Sequence, residues 1–202
     1  MKRVFSLTVL AMGSVAAMLW WQPAVRAAND KQEDKQDNKL TAARAADRGF
    51  FTGYTLDVAI DATKFQFQRD TAVLPTNLIR GDVFITEGPI YPGGTIASGT
   101  TAFPPTTTVQ PIGKWVCRGT FQVPTAQIVQ GVTPFVYSTQ YFLLNDGTSI
   151  VTEGPEGGAA FMRAITGGWD NAIGVQGDNL ETPIGSNATG MFNVRFTFRI
   201  KG

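Results

Sequence analysis

Short runs of alternating apolar and polar residues fill most of the chain after residue 50, and Gly or Pro interrupts them about every 8 to 15 residues. The clearest run is MFNVRFTFRI near the C-terminus, where every second residue is apolar: Phe192, Val194, Phe196, Phe198 and Ile200. One apolar and one polar face is typical of a half-buried antiparallel strand. Since no segment of this region has a helical period, the pattern predicts an all-β fold.

Two further strands are predicted within the run from Phe135 to Gly154, and they meet at Asn145-Asp146-Gly147. These turn residues tolerate the positive φ that a tight hairpin requires. The remaining strands are predicted at Lys64 to Gln68, Gly81 to Ile90, Gly94 to Thr101, Ile112 to Val123, Phe161 to Thr166 and Ile173 to Leu180. Eight or nine strands joined mostly by short turns predict a closed barrel or a sandwich.

The tetrapeptide Thr-Glu-Gly-Pro occurs twice, at residues 86–89 and 152–155, each time after a strand-like run. Because proline cannot donate to a sheet ladder, Gly-Pro is expected to stop or bend the strand. A strand end with its Glu turned toward solvent accounts for both copies, so the repeat is interpreted as architecture.

The strand register decides whether these glutamates have a chemical role. If Phe84 and Ile150 point into the barrel, both glutamates face water. In the opposite register Glu87 and Glu153 point inward near a barrel mouth, where a partly desolvated carboxylate suits proton transfer. The sequence leaves both registers open, and Glu87 and Glu153 are therefore the candidate catalytic residues.

The N-terminal region has the pattern of an export signal. A basic start, MKR, precedes an uncharged apolar run, and small residues precede a cut after Ala27, which predicts a signal peptide at residues 1–27. An uncleaved anchor is the alternative, because roughly 20 apolar residues span a bilayer. Residues 28–49 are rich in charged, Gln and Asn residues and lack aromatics, which predicts a disordered tether. The expected location is secreted or periplasmic.

Residues 50–202 are predicted to form one domain with its own core. This region has nine basic and eleven acidic residues, a net charge of −2, so no basic field for nucleic acid is expected. No apolar run after the signal peptide approaches membrane-spanning length, so the mature domain is expected to stay outside the membrane.

Two absences restrict the chemistry further. The chain has no histidine, which excludes a Ser-His-Asp triad, a His general base and any His-ligated metal. Its single cysteine, Cys117, excludes an intrachain disulfide. Cys117 is predicted to be a small buried residue on a strand, with an intermolecular bridge or a reactive thiol as the alternatives.

Several segments, taken in order, resemble the bacterial relatives of the allene oxide cyclase and dirigent protein barrels. They are GDVFITEGPIYPGGTIASG, IGKWVCRGTF, TQYFLLNDGTSIVTEG, RAITGGWDNAIGVQGD and NVRFTFRI. The resemblance covers Gly81 to Ile200, and its most specific element is the double-glycine turn within Arg163 to Gly177. The chain departs from the plant dirigent pattern at Trp169-Asp170-Asn171 and at Val175-Gln176-Gly177, where an arginine is missing.

The resemblance implies an eight-stranded antiparallel, lipocalin-like barrel, which is usually a homo-oligomer in the plant families. Plant allene oxide cyclases close a fatty-acid epoxide into a cyclopentenone, and dirigent proteins steer the coupling of phenoxy radicals or quinone methides. Both hold a small hydrophobic molecule in the barrel and need no organic cofactor or metal.

Four residues are candidate ligand-binding positions. Arg163 can pair with either candidate glutamate, although a salt bridge at the rim is the commoner fate. Tyr137 and Tyr141 share a strand face and can orient a polar ligand group or pack against another subunit. Trp115, like Trp169, is interpreted first as core or rim packing and second as a ligand platform.

Three functions remain open at this stage. The first is a secreted barrel that binds a small hydrophobic molecule without changing it. The second is a cofactor-independent cyclase or stereochemical guide that uses a barrel carboxylate, so whether the protein is an enzyme is left open. The third is a structural protein of the envelope or matrix with a solid barrel.

Overall fold

The structure is a computed structural model that describes residues 51–68, 77–105 and 107–201. The predicted signal peptide and tether lie outside these residues. Within these ranges there are nine strands: β1 (Phe51–Ala59), β2 (Asp61–Gln68), β3 (Val83–Pro92), β4 (Gly113–Phe121), β5 (Val136–Leu144), β6 (Ser149–Glu156), β7 (Phe161–Trp169), β8 (Gln176–Ser186) and β9 (Phe192–Lys201). The helical elements of this part of the chain are a short helix, α1 (Thr125–Val129), and one 3₁₀ turn (Asp170–Ala172). The predicted all-β fold is confirmed.

The sheet closes into a barrel because its first two strands act as one. Both β1 and β2 run antiparallel to β3: Val58 pairs with Ile90, and after a register shift beyond Asp61, Gln68 pairs with Val83. Each later strand pairs antiparallel with the next, and β9 pairs with β1 along nine residues. The two strands, bent at Ile60, therefore count as one, and the barrel has the eight antiparallel strands that the resemblance implied.

The hairpin predicted at Asn145 to Gly147 is confirmed, and it joins β5 to β6. Gly147 has a φ of 92°, and its amide donates to the carbonyl of Leu144 at 3.1 Å. The amide of Leu144 in turn donates to the carbonyl of Thr148 at 2.9 Å. Gly147 thus has the positive φ expected of a hairpin turn, whereas Asn145 and Asp146 do not.

The strand predicted at Gly94 to Thr101 is wrong, because these residues form a loop on the outside of the barrel. Gly94 and Gly99 have φ values of 85° and 80°, which interrupt an extended strand. Ile96 is buried, and its amide donates to Asp57 Oδ2 at 2.8 Å. Asp57 is also bound by the Nε of Arg195 at 2.8 Å. Ile96, an apolar residue of the predicted strand, therefore holds a loop against the barrel.

The Thr-Glu-Gly-Pro repeat ends a strand in only one of its two copies. β6 ends at Glu156, directly after Pro155, but β3 continues past Pro89 to Pro92, so the strand end predicted there is wrong. The pairing of β3 passes from β2 at Glu87 to β1 at Ile90, and Pro89 lies in this gap, where the missing amide is tolerated.

The barrel interior has a large aromatic core. Its rings pack at centroid distances of 4.9 Å for Phe142 and Phe196, 5.0 Å for Phe142 and Phe198, and 6.3 Å for Trp115 and Phe196. Cys117 is buried on β4 as predicted. Across the described ranges, no helix combines the length and the apolar character needed to cross a membrane.

Candidate functional site inside the barrel

The inner faces of β5 to β8 carry a group of polar side chains, here called the interior polar cluster. It consists of Ser138 and Gln140 on β5, Thr152 and Glu156 on β6, Arg163 on β7, and Asn179 and Glu181 on β8. Strand alternation explains the arrangement, because every second residue from Ser138, from Thr152 and from Asn179 faces the same way. The same strands also contribute the buried apolar residues Phe142, Ile150 and Ile165, so polar and apolar side chains adjoin in the barrel interior.

Arg163 is the centre of the interior polar cluster, and its side chain is 0% exposed. Its Nη1 donates to the carbonyls of Gly154 and Pro155 at 3.2 and 3.0 Å and lies 3.3 Å from Glu156 Oε1. Its Nη2 donates to the carbonyl and the hydroxyl of Ser138 at 2.9 and 2.8 Å. Its Nε contacts the hydroxyl of Thr152 at 3.4 Å. The buried cation thus has hydrogen-bond acceptors at every nitrogen and an anionic partner.

The glycine of the second Thr-Glu-Gly-Pro copy makes room for this arginine. A β-carbon on Gly154 would lie 3.2 Å from Cα, Cβ and Cγ of Arg163. In the first copy, a β-carbon on Gly88 would lie 2.2 Å from the carbonyl oxygen of Ala59 at the end of β1. Each glycine therefore permits a close approach, to a side chain in one copy and to a neighbouring strand in the other.

Glu181 is a carboxyl group held in a poorly solvated position. It accepts a hydrogen bond from Gln140 Nε2 at 2.9 Å, and its Oε2 lies 3.6 Å from Arg163 Nη1. Burial, followed by the negative charge of Glu156, raises the pKa of Glu181 to about 8, against the opposing effect of Arg163. Glu181 therefore keeps its proton near neutral pH and is able to donate a hydrogen bond.

Several buried polar atoms near these residues have no hydrogen-bond partner among the residues that the structure describes. They are both amide atoms of Asn179, Oε1 of Gln140, Nε1 of Trp115 and Oγ1 of Thr86. In folded proteins such atoms normally bind protein groups or ordered water. The barrel interior therefore offers unused donors and acceptors next to an uncharged acid.

Cys117 adjoins the interior polar cluster as a hydrogen-bond donor. Its Sγ lies 3.3 Å from Glu156 Oε1. Burial, and then the charge of Glu156, raises the pKa of the Cys117 thiol well above its usual value. The residue therefore stays a thiol, and the geometry does not favour the reactive-thiol alternative. Within the described ranges, no group of three acidic or cysteine side chains is arranged to hold a metal ion.

The structure places both candidate catalytic glutamates on the outside of the barrel. Phe84 and Ile150 are the inward residues, so the register is the one that turns both glutamates outward. Glu87 pairs with Lys114 at 3.2 Å and lines an outer pocket of about 290 Å³. Glu153 is exposed and accepts from the hydroxyl of Thr139 at 3.3 Å. Neither glutamate reaches the interior polar cluster, and a catalytic role for them stays a prediction.

The candidate ligand-binding residues divide between the two faces. Arg163 lies inside rather than at the rim, because the negative charge of Glu156 compensates its charge there. Trp115 is also inside and 1% exposed, whereas Trp169 is 53% exposed. Tyr137 and Tyr141 alternate with the inward residues of β5 and therefore face outward.

Sequence reasoning missed the two carboxylates that share the interior with Arg163. Alternation counted from inward Ile150 reaches Glu156, but only once the register is known. Glu181 lies one residue beyond the strand predicted at Ile173 to Leu180, whereas β8 continues to Ser186. The alternation continued from Asn179 would have placed Glu181 on the same face.

Substituting the two outer glutamates should have little effect on stability. Glu87→Gln and Glu153→Gln are each expected to change the free energy of unfolding by no more than about 0.5 kcal/mol, because the side chains contact solvent. Urea unfolding of the single variants at pH 7 measures this. A loss of several kcal/mol in either variant would contradict the outward register.

Glu181 should make the folded state less stable as the pH rises. The folded chain holds this proton up to a pKa of about 8, whereas the ordinary value is 4.5. Between these values the unfolded state binds fewer protons, so the free energy of unfolding falls with pH, by at most about 1.4 kcal/mol per pH unit. Urea unfolding between pH 5 and 8 should show this decline in the natural chain and in Glu153→Gln. Glu181→Gln should remove it, and an unchanged slope in that variant would contradict the shift.

No protein-family model and no curated protein matches the sequence, whereas 34 chains of solved structures match the fold. One pterocarpan synthase dirigent protein is 14% identical with a TM-score of 0.54, over 75% of this chain and 87% of its own. A second is 16% identical with a TM-score of 0.51, over 77% of this chain and 99% of its own. A pyocyanin demethylase is 18% identical, over 74% of this chain and 100% of its own, with a TM-score of 0.49. The two dirigent proteins establish the likeness of fold alone.

Proposed function

We propose that this chain, which has the fold of a dirigent-like β-barrel protein, binds a small and largely hydrophobic molecule inside its barrel. The observation that carries the proposal is the set of unpartnered polar atoms on Asn179, Gln140 and Trp115. A ligand with one polar group would satisfy several of them at once. An aromatic core without such atoms would support the solid structural barrel instead.

Apolar and polar side chains adjoin in the barrel interior, so one molecule can contact both kinds. Phe196 pairs with Glu181 across β8 and β9, and its ring also packs on Trp115. Glu156 and Glu181 have side chains that are 16% and 10% exposed, while Arg163 is 0% exposed. Solvent therefore reaches the interior polar cluster from the side of the two carboxylates, which is the expected path of entry.

Binding can be measured with N-phenyl-1-naphthylamine, an uncharged fluorescent molecule whose absorption overlaps tryptophan emission. Titration into the full chain should increase probe fluorescence and transfer energy from Trp115. Trp115→Phe should remove most of this transfer, whereas Trp169→Phe, which alters an exposed residue, should leave it nearly unchanged. Absence of saturable binding would refute the proposal and favour the structural barrel.

A second candidate function is a cofactor-independent cyclase or stereochemical guide, and the uncharged Glu181 favours it. An acid that keeps its proton inside a barrel can polarise or protonate a ligand oxygen as a reaction proceeds. In this function Glu181, rather than Glu87 or Glu153, would be the barrel carboxylate that transfers the proton.

The second function can be tested with 1,2-epoxyoctane as a simple acid-sensitive molecule. Glu181 would protonate the ring oxygen as one C–O bond breaks, water would attack that carbon, and the proton it releases would restore the acid. Diol formation above the buffer rate, lost in Glu181→Gln but kept in Glu153→Gln, would support catalysis. Probe binding without faster ring opening would leave the chain as a binding protein.

A further inference from the structure

The hydrogen bonds of Arg163 determine what kind of ligand the interior can accept. Its three nitrogens donate to Ser138, Thr152, Gly154, Pro155 and Glu156. A carboxylate or phosphate would therefore have to displace an existing acceptor in order to bind this cation. Arg163 is thus a structural cation, in contrast to the free arginines that recognise anions.

The charges of the interior polar cluster balance without a ligand. Arg163 and Glu156 carry opposite charges 3.3 Å apart. Glu181 is uncharged near neutral pH because burial and Glu156 raise its pKa to about 8. Ser138 also donates to Glu156, and Gln140 donates to both carboxyl groups. An anionic ligand would therefore introduce an uncompensated charge into a buried site, which is strongly unfavourable. The charge of a cationic ligand, in contrast, can be balanced by loss of the Glu181 proton.

The polar atoms still without a partner belong to uncharged groups of both types. Asn179 is 0% exposed and has one free donor and one free acceptor, and Gln140 has a free acceptor. Asn179 lies directly opposite Arg163 across β7 and β8 and two residues from Glu181. A hydroxyl or primary amide supplies a donor and an acceptor together, which an ether, a hydrocarbon or an ion does not.

We propose that the interior site selects an uncharged ligand whose polar head both donates and accepts hydrogen bonds, and that it rejects carboxylates. The inference rests on the proposed binding function. Asn179 is the residue that pairs with the polar head, and Arg163 is excluded from ligand contact by its existing bonds.

The test compares ligands that share one alkyl chain and differ only in the head group. Displacement of bound N-phenyl-1-naphthylamine from the full chain at pH 7 is measured for 1-octanol, octanoate and n-octane. We expect 1-octanol to displace the probe at concentrations at least about ten-fold lower than octanoate. Equal or stronger displacement by octanoate would overturn the selectivity, while the probe binding itself would still support the proposed function.

A variant identifies the residue responsible. Asn179→Leu removes the free donor and acceptor while it keeps the number and branching of the side-chain heavy atoms, and it should weaken 1-octanol binding about ten-fold, toward the value for n-octane. Asn171→Leu, the same substitution at an exposed residue of the 3₁₀ turn, is the matched control and should keep the preference. Since Asn179 has no partner to lose, the variant should fold, and urea unfolding checks this. If folded Asn179→Leu binds 1-octanol as tightly as the natural chain, Asn179 does not pair with the polar head of the ligand, and this part of the proposal is refuted.

Discussion

Arg163→Met should lower the free energy of unfolding by about 3 to 5 kcal/mol, one of the two largest effects expected in this chain. The change leaves the charge of Glu156 in the interior without its cation and deprives the carbonyls of Ser138, Gly154 and Pro155 of donors. Breaking a buried pair from one side has this cost because the remaining charge stays desolvated. Urea unfolding at pH 7 provides the measurement.

Two further variants separate this effect from the simple loss of a positive charge. Lys114→Met removes the cation of the half-exposed Glu87 pair and should cost no more than about 1 kcal/mol. Adding Glu156→Gln to Arg163→Met removes the stranded charge and should restore part of the lost stability. Similar losses for Arg163→Met and Lys114→Met would show that the interior polar cluster is not buried.

Phe196→Ala should cost a similar amount, about 3 to 5 kcal/mol, because it opens a cavity in the aromatic core. Phe196 is fully buried, and its ring packs against Phe142 and Trp115. Such a loss is a large share of a total stability that is usually about 5 to 15 kcal/mol. Thermal and urea unfolding should agree on its size.

Thr197→Ala is the matched control for Phe196→Ala, since the neighbouring residue points to the outer face of β9. It should cost less than about 1 kcal/mol. Equal losses at the two positions would mean that the outer face of β9 is also buried, as it would be at an interface with another subunit.

The fold was predictable from the sequence where the residues of a single strand or turn form a recognisable pattern. The alternation around Phe196 identifies β9, and the residues Asn145 to Gly147 identify a hairpin, because both signals depend on neighbours in the chain. β1 was missed, although the run FTGYTLDVA begins directly after the predicted tether. Its residues Tyr54, Leu56 and Val58 alternate with Thr55 and Asp57, so the pattern of a half-buried strand is present in this run. It pairs with β9 from Phe51 with Lys201 to Ala59 with Asn193.

The site was less predictable than the fold, because register is a property of the whole barrel. Alternation identifies which residues share a face but does not identify the face that is buried. On β6 the inward row contains Ile150, Thr152 and Glu156, so it is hardly more apolar than the outward row. The sequence therefore led to Glu87 and Glu153, whereas the carboxylates beside Arg163 are Glu156 and Glu181.

The pairing of β1 with β9 also means that the two ends of the described barrel lie side by side. Phe51 is opposite Lys201, so a short linker could join them, and new termini could be opened at the exposed hairpin of Asp146 and Gly147. Such a circular permutant would keep every strand next to its present neighbours. Its stability would be lowered only by the entropy of ordering the new linker between β9 and β1, and this entropy grows slowly with the length of the linker. The same barrel is therefore expected to form from a chain in which the strands follow one another in a different order.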